Sequence, residues 1–265
     1  MNQSPNPIID PQRPLAEFHG RCALTVMAKA PKAGRVKTRL SPPLNSHQAA
    51  RLNIAFLQDT IACLRQVAAI ASATVVISYT PAGAEADFAG IVPADVALLP
   101  QRGDGFGARL QYTTEDLLAA GFDAVCLIDS DSPTVPRGAY VDAVQRLLEK
   151  ESCAVLGPSD DGGYYLLGLQ KLHPRLFEDI AWSTAVVEEQ TRQRAAEIGL
   201  PVHSLPVWFD VDDRRTLARL YRELQVSGSG GAGFPATHTA ECLRALSDSL
   251  GEALLAPVSE IAERS

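Results

Sequence analysis

The sequence predicts an α/β domain with an open, Rossmann-like, mainly parallel sheet covered by helices on both faces. Three observations lead to that class. Short apolar or β-branched runs alternate with longer segments of helical spacing. The polar clusters fall at the carboxyl ends of the strand-like runs, where open α/β sheets place their ligand crevice. A length of 265 residues, 46% hydrophobic and 21% charged, suffices for one well-buried domain and does not demand two.

Residues 1–20 read as a flexible lead-in, with Pro5, Pro7, Pro11 and Pro14 and no apolar stretch of the kind a signal peptide carries. Residues 23–28 (ALTVMA) form the first expected strand, followed by a loop of Lys, Pro and Gly. From 48 to 69 the spacing is helical, with Leu52, Phe56, Leu57, Ile61, Leu64 and Val67 on one side. Strands are expected at 75–79 and 96–99, the second leading through the glycine-rich 103–107 into a helix ending near Leu118. A buried strand at 124–128 ends in acids; a helix at 140–148 and strands at 153–156 and 164–169 come next. A helix over 184–198 precedes a strand at 202–205, the acidic 210–213 and a helix through Leu224. The main α/β unit is thus 21–226. Residues 227–233 (SGSGGAG) read as a linker. Beyond them Leu243, Leu246, Leu250 and Leu254 mark an amphipathic helix docked on the domain or on a partner.

A formal net charge of -7 argues against nucleic acid or an anionic membrane as partner. No apolar run approaches the roughly 20 residues that span a bilayer. Cys22, Cys63, Cys126, Cys153 and Cys242 are odd in number and form no C-x-x-C pair, which points to the reducing cytoplasm. The five histidines show no metal-ligand spacing, and no G-x-S-x-G elbow is present.

Five clusters carry chemistry. The first is Lys29-Ala-Pro-Lys32-Ala-Gly34-Arg35-Val-Lys37-Thr-Arg39, five cations in eleven positions of an acidic chain. Backbone N–H groups at Gly34, with Lys and bidentate Arg, suit phosphate oxygens; a solvated basic loop is the competing reading. It is no Walker A loop, because Val36 stands where Gly would precede Lys37. The second is Asp129-Ser-Asp131-Ser-Pro133: carboxylates at i and i+2 point to one side of a departing strand and offer oxygens to Mg²⁺ or Mn²⁺. The third is Asp210-Val-Asp212-Asp213. Here Asp212 is the expected second metal ligand, Asp210 stands behind it, and Asp213 suits a helix cap. The fourth, Gly157 to Tyr164, holds Asp161, a candidate acceptor ligand or base, beside Gly162 and Gly163. A plain hairpin turn explains Asp-Gly equally well. The fifth, residues 101–107, offers Gly105 and Gly107 for close approach to a nucleotide but lacks the last Gly of a dinucleotide fingerprint.

AKAPKAGRVKTRL, Asp131-Ser-Pro, GPSDDGGYYLLGL, Trp182-Ser-Thr and WFDVDD occur in this order between about Leu24 and Leu217. In that series the chain resembles the arsenosugar-biosynthesis-type glycosyltransferases, also called radical-SAM/selenodomain-associated transferases. These are similar to nucleotide-diphospho-sugar transferases and to phospholactate guanylyltransferases. The resemblance implies a GT-A-like sheet, with Lys29, Lys37 and Arg39 near the nucleotide phosphates. It puts Asp131 on the metal position, Asp212 on the second acidic position, and Asp161, Gly162, Gly163 and Trp182 on the acceptor side. Lys37 joins Asp131 and Asp161 as a catalytic group. Asp129 stands where relatives usually carry Gly, and Asp213 replaces a common Thr. The expected activity is glycosyl transfer from a nucleotide sugar to a small-molecule acceptor. The alternatives are nucleotidyl transfer releasing pyrophosphate and non-catalytic nucleotide binding.

Overall fold

The structure is a computed structural model that describes residues 6–149, 151–226 and 233–250. Seven strands form one sheet: β1 (Cys22–Lys29), β2 (Ala73–Thr80), β3 (Ala97–Pro100), β4 (Ala124–Ile128), β5 (Ala154–Pro158), β6 (Tyr164–Leu169) and β7 (Val202–Ser204). Their spatial order is β3-β2-β1-β4-β6-β5-β7. All neighbouring pairs are parallel except those of β6, which runs antiparallel to both β4 and β5. The reversal has a local cause. β5 and β6 are joined by the Asp-Gly turn expected as a hairpin, closed by Ser159 N–H donating to the Gly163 carbonyl at 3.0 Å. A loop that short cannot return the chain for a parallel pairing.

The helices are α1 (Ser46–Ala68), α2 (Phe106–Ala119), α3 (Arg137–Leu147), α4 (Val187–Glu197), α5 (Arg214–Val226) and α6 (Thr237–Leu250). Asn45 caps α1 in a reciprocal box with Gln48, which fixes its start two residues ahead of the expected one. The pleat divides β1: Cys22, Leu24, Val26 and Ala28 pack on one face, Ala23 on the other. A third apolar cluster joins Leu52 and Phe56 of α1 to Leu217 and Leu220 of α5 and to Cys242, Leu243 and Leu246 of α6. Asp59, fully buried on α1, holds the start of α6 by accepting from Thr239 N–H at 2.7 Å and His238 N–H at 3.1 Å. Residues 227–232 of the expected linker, and Leu254, lie outside the described residues.

The amino-terminal segment departs from expectation. Within residues 6–20 the chain is anchored rather than loose. Leu98 N–H donates to the Pro7 carbonyl at 2.8 Å, and Ile9 N–H to the Leu98 carbonyl at 2.9 Å. Phe18 stacks on Phe122 with centroids 4.1 Å apart. Proline favours extended backbone and donates no ladder hydrogen bond, so a proline-rich segment suits the outer edge of β3.

β1 and β4 are central neighbours, and the chain winds outward from them in opposite directions. The crevice beyond their carboxyl ends is therefore a topological switch point.

Candidate active site

At that crevice the three most distant clusters meet. Lys37 adopts the left-handed conformation (φ 48°), and its side chain turns inward until only 4% of it is exposed. Its Nζ donates to Asp131 Oδ1 at 2.8 Å, Asp212 Oδ1 at 3.1 Å and the Val211 carbonyl at 2.7 Å. Val211 N–H donates back to the Asp131 carbonyl at 3.0 Å, which straps the 210–213 loop to the end of β4. Burial works against the Lys37 ammonium, but Asp131 and Asp212 outweigh it and hold its pKa above the ordinary value. The three donor hydrogens of the ammonium are thereby all engaged. Lys37 organises two carboxylates while also lining the hollow that holds the other cations of the basic loop.

Two adjoining hollows share Asp131, Asp212, Arg39, Met27, Phe106 and Ser183 as their boundary. One, of about 460 Å³, is bordered by Lys29, Arg35, Thr38, Asn53, Gln101 and Arg109. Among the described residues Lys29, Arg35 and Arg109 have no ion-pair partner. Arg39 stands 3.5 Å from Asp212 Oδ2. Arg109 is a basic residue that sequence reasoning missed. It lies outside every motif, on the first turn of α2, and only the fold turns it toward the basic loop.

The second hollow, of about 410 Å³, is acidic and aromatic. Asp129, Asp161, Ser159 and Asp210 border it together with Tyr164, Trp182 and Thr184. Asp129 accepts from Ser132 Oγ at 2.7 Å, while its Oδ1 is buried without a partner. Burial, then the neighbouring Asp131, holds its carboxyl well above the usual range. Asp210 accepts from Ser159 Oγ at 3.1 Å; burial, then Asp161 and Asp212, pushes it up to about 6. Asp161 is exposed and oriented by Gly163 N–H, which donates to its Oδ1 at 2.8 Å. Asp213 caps α5, accepting from Thr216 N–H at 2.8 Å.

The glycines need correction. Gly34, Gly105 and Gly107 border neither hollow. A Cβ on Gly107 would lie 2.3 Å from Trp182 Nε1, so its bare face seats the indole, not a nucleotide. Gly162 (φ +91°) seats the Ala185 backbone and offers nothing to an acceptor directly.

Among the described residues no three His, Cys, Asp or Glu side chains already converge as a metal cluster. Two features still fit a hard cation. The orphaned Asp129 oxygen and the crowded, raised carboxyls of Asp129 and Asp210 show a local excess of negative charge. That excess carries a stability prediction. A raised carboxyl weakens the fold once the unfolded state ionises, so the penalty is absent below about pH 3 and complete above about pH 7. Discounted for partial exposure, it amounts to about 1–2 kcal/mol. Asp210→Asn should therefore melt about 3–6 °C higher than wild type at pH 8 and equal it near pH 3. Parallel melting curves across that range would remove the charge-crowding account.

The sheet order, with one antiparallel strand and its crevice beyond β1 and β4, defines a nucleotide-diphospho-sugar-transferase-like α/β fold. A solved protein from Desulfovibrio desulfuricans G20, provisionally assigned as a nucleotide-diphospho-sugar transferase, is 32% identical, with a TM-score of 0.74. The match covers 88% of this chain and 96% of that one. The profile of a family described as "Uncharacterized protein conserved in bacteria (DUF2064)" matches residues 63–184. The chain belongs to that family. More distant likenesses show the fold alone. CMP:2-keto-3-deoxy-manno-octonic acid synthetase complexed with CTP is 11% identical, with a TM-score of 0.50, covering 76% of this chain and 96% of that one. 4-Diphosphocytidyl-2C-methyl-D-erythritol synthase of Anaerococcus prevotii DSM 20548 gives 11%, 0.50, 80% and 99%. A comparison with curated protein sequences finds no match. No helix among the described residues is long and apolar enough to cross a membrane.

Proposed function

We propose that the protein is a glycosyltransferase of the arsenosugar-biosynthesis type, moving a sugar from a nucleoside diphosphate to a small-molecule acceptor. The division of the crevice by charge carries this reading. Unpaired Lys29, Arg35 and Arg109 suit the diphosphate in one hollow, and Asp161 faces the other. The acceptor hydroxyl oxygen attacks the anomeric carbon and its proton passes to Asp161. The bond from that carbon to the diphosphate oxygen breaks, and its electron pair leaves with the nucleotide. Asp131 and Asp212, with Asp210 behind, are the residues that would hold Mg²⁺ or Mn²⁺. Such an ion supplies Lewis-acid neutralisation of the departing diphosphate. Lys37 fixes Asp131 and Asp212 in register beneath that boundary, and Gly163 N–H fixes the Asp161 base. All five cysteines are unpaired and buried, which supports a reducing, cytoplasmic setting.

Nucleotidyl transfer is the second reading, favoured by the three unpaired cations, whose charge also suits a triphosphate. A single assay separates the two. Nucleotide sugars and nucleoside triphosphates are supplied with Mg²⁺ or Mn²⁺, and nucleoside diphosphate and pyrophosphate are both measured. Glycosyl transfer predicts metal-dependent nucleoside diphosphate release that Asp131→Asn lowers by about 10²-fold or more. Pyrophosphate release instead establishes the second reading. Tight binding without turnover, unaffected by Asp131→Ala, would make the protein a nucleotide sensor.

A further inference from the structure

The acidic hollow specifies the class of acceptor, an inference that rests on the transferase reading above. We propose that it takes a non-anionic acceptor: a compound with an apolar ring and a hydroxyl or ammonium group, carrying neither phosphate nor carboxylate. Three observations carry this. Asp129, Asp131, Asp161, Asp210 and Asp212 border this hollow, and its one bordering cation among the described residues, Arg39, already faces Asp212 at 3.5 Å. Lys37, which lines the neighbouring basic hollow, has every donor engaged. Even with a divalent ion on Asp131 and Asp212, an acidic acceptor would therefore meet the carboxyls of Asp129, Asp161 and Asp210 with no unpaired side-chain cation among the described residues to offset them, whereas the basic hollow next door has three.

The opposite wall is apolar and built. Phe106, 45% exposed despite its size, meets Trp182 edge to face with centroids 5.5 Å apart. Gly107 locks the indole from behind, since any side chain there would occupy its place. Tyr164, Leu110 and Val187 extend the same wall. An exposed aromatic edge against a row of carboxylates suits a ring on one side and polar hydrogens, or a cation, on the other. Asp129, whose Oδ1 is buried without a hydrogen-bond partner, borders the same hollow. A volume of about 410 Å³ accommodates a ring with a few substituents.

Three probes of one shape and different charge test the assignment: 2-phenylethylamine, 2-phenylethanol and 3-phenylpropionate. Each is titrated against the full chain by saturation-transfer NMR. The amine and the alcohol should bind, each about tenfold or more tighter than the carboxylate. Trp182→Ala should abolish both, and Asp161→Asn should narrow the gap between amine and carboxylate. Circular dichroism confirms folding, and Trp182→Phe, which keeps an aromatic wall, should retain most of the binding. Carboxylate binding equal to the amine, no binding by amine or alcohol up to their solubility, or binding unchanged in Trp182→Ala overturns the proposal. Thermal-shift titration of the same samples with nucleoside diphosphates reads the basic hollow independently. If nucleotides fail while the amine and alcohol bind, the donor reading falls and takes the acceptor role with it, while the hollow's selection of non-anionic ligands stands. If nucleotides bind and the probe order is reversed, this one alone falls.

Discussion

Lys37→Met is expected to melt about 6–12 °C below wild type and to lose about 10²-fold or more of its turnover. The side chain is 4% exposed and bridges Asp131, Asp212 and the Val211 carbonyl, so methionine fills its volume but leaves two carboxylates facing each other. Removing one member of a largely buried ion cluster costs about 3 kcal/mol, because the surviving charges remain without their partner. At this chain length that cost corresponds to the stated shift. The activity loss follows from geometry, since the 210–213 loop and the end of β4 lose the tie that sets their spacing. A second substitution separates charge from shape. Adding Asp212→Asn to Lys37→Met removes the repulsion and should recover part of the melting temperature without recovering turnover, a coupling that a double-mutant cycle measures. A Lys37→Met protein that melts with wild type would show that the ammonium is not the hub described here.

How much of this was legible in the sequence differs between backbone and side chains. The strands at 124–128 and 164–169 match β4 and β6 to the residue, because Asp123 and Asp129 bound the first apolar run and Gly163 and Gln170 bound the second. The antiparallel course of β6 was present in the Asp-Gly signal. Asp-Gly suits both a turn and a ligand-binding loop, and segment 159–163 is a hairpin that also borders the cleft. The convergence of the 29–39, 129–131 and 210–213 segments followed from placing each at the end of a strand. What the sequence could not supply was side-chain direction. Lys37 and Arg35 look alike in a basic loop. The left-handed backbone at Lys37 sends one inward to carboxylates, while Arg35 stays exposed. Arg109 and the Gly107–Trp182 contact depend on distances across the fold that no local pattern encodes. The proline-rich start misled for a related reason: low apolar content argues against a helix, but not against an extended segment paired to an open sheet edge.

The sharpest test of the acceptor side is a glycine that touches no ligand. Gly162 has φ +91°, and a Cβ there would lie 2.0 Å from the Ala185 carbonyl oxygen and 2.8 Å from its Cα. Backbone cannot step aside as a flexible side chain does. The contact is also tied in place, since Glu188 N–H donates to the Gly162 carbonyl at 2.9 Å. Gly162→Ala should therefore cost about 3 kcal/mol, the joint effect of an unfavourable backbone and a main-chain clash, and lower the melting temperature by about 6–12 °C. Gly34→Ala is the matched control. Its φ of +75° is equally left-handed, but nothing lies within 4 Å of its added Cβ, so only the conformational cost of about 1–2 kcal/mol remains. The two variants should differ in function as well. Displacing Ala185 moves Trp182, Ser183 and Thr184 at the acidic hollow, so in Gly162→Ala turnover falls while nucleotide affinity in the basic hollow persists. If the two alanine variants melt together, the 159–163 turn and the 182–187 segment are not packed as described, and the aromatic wall loses its support.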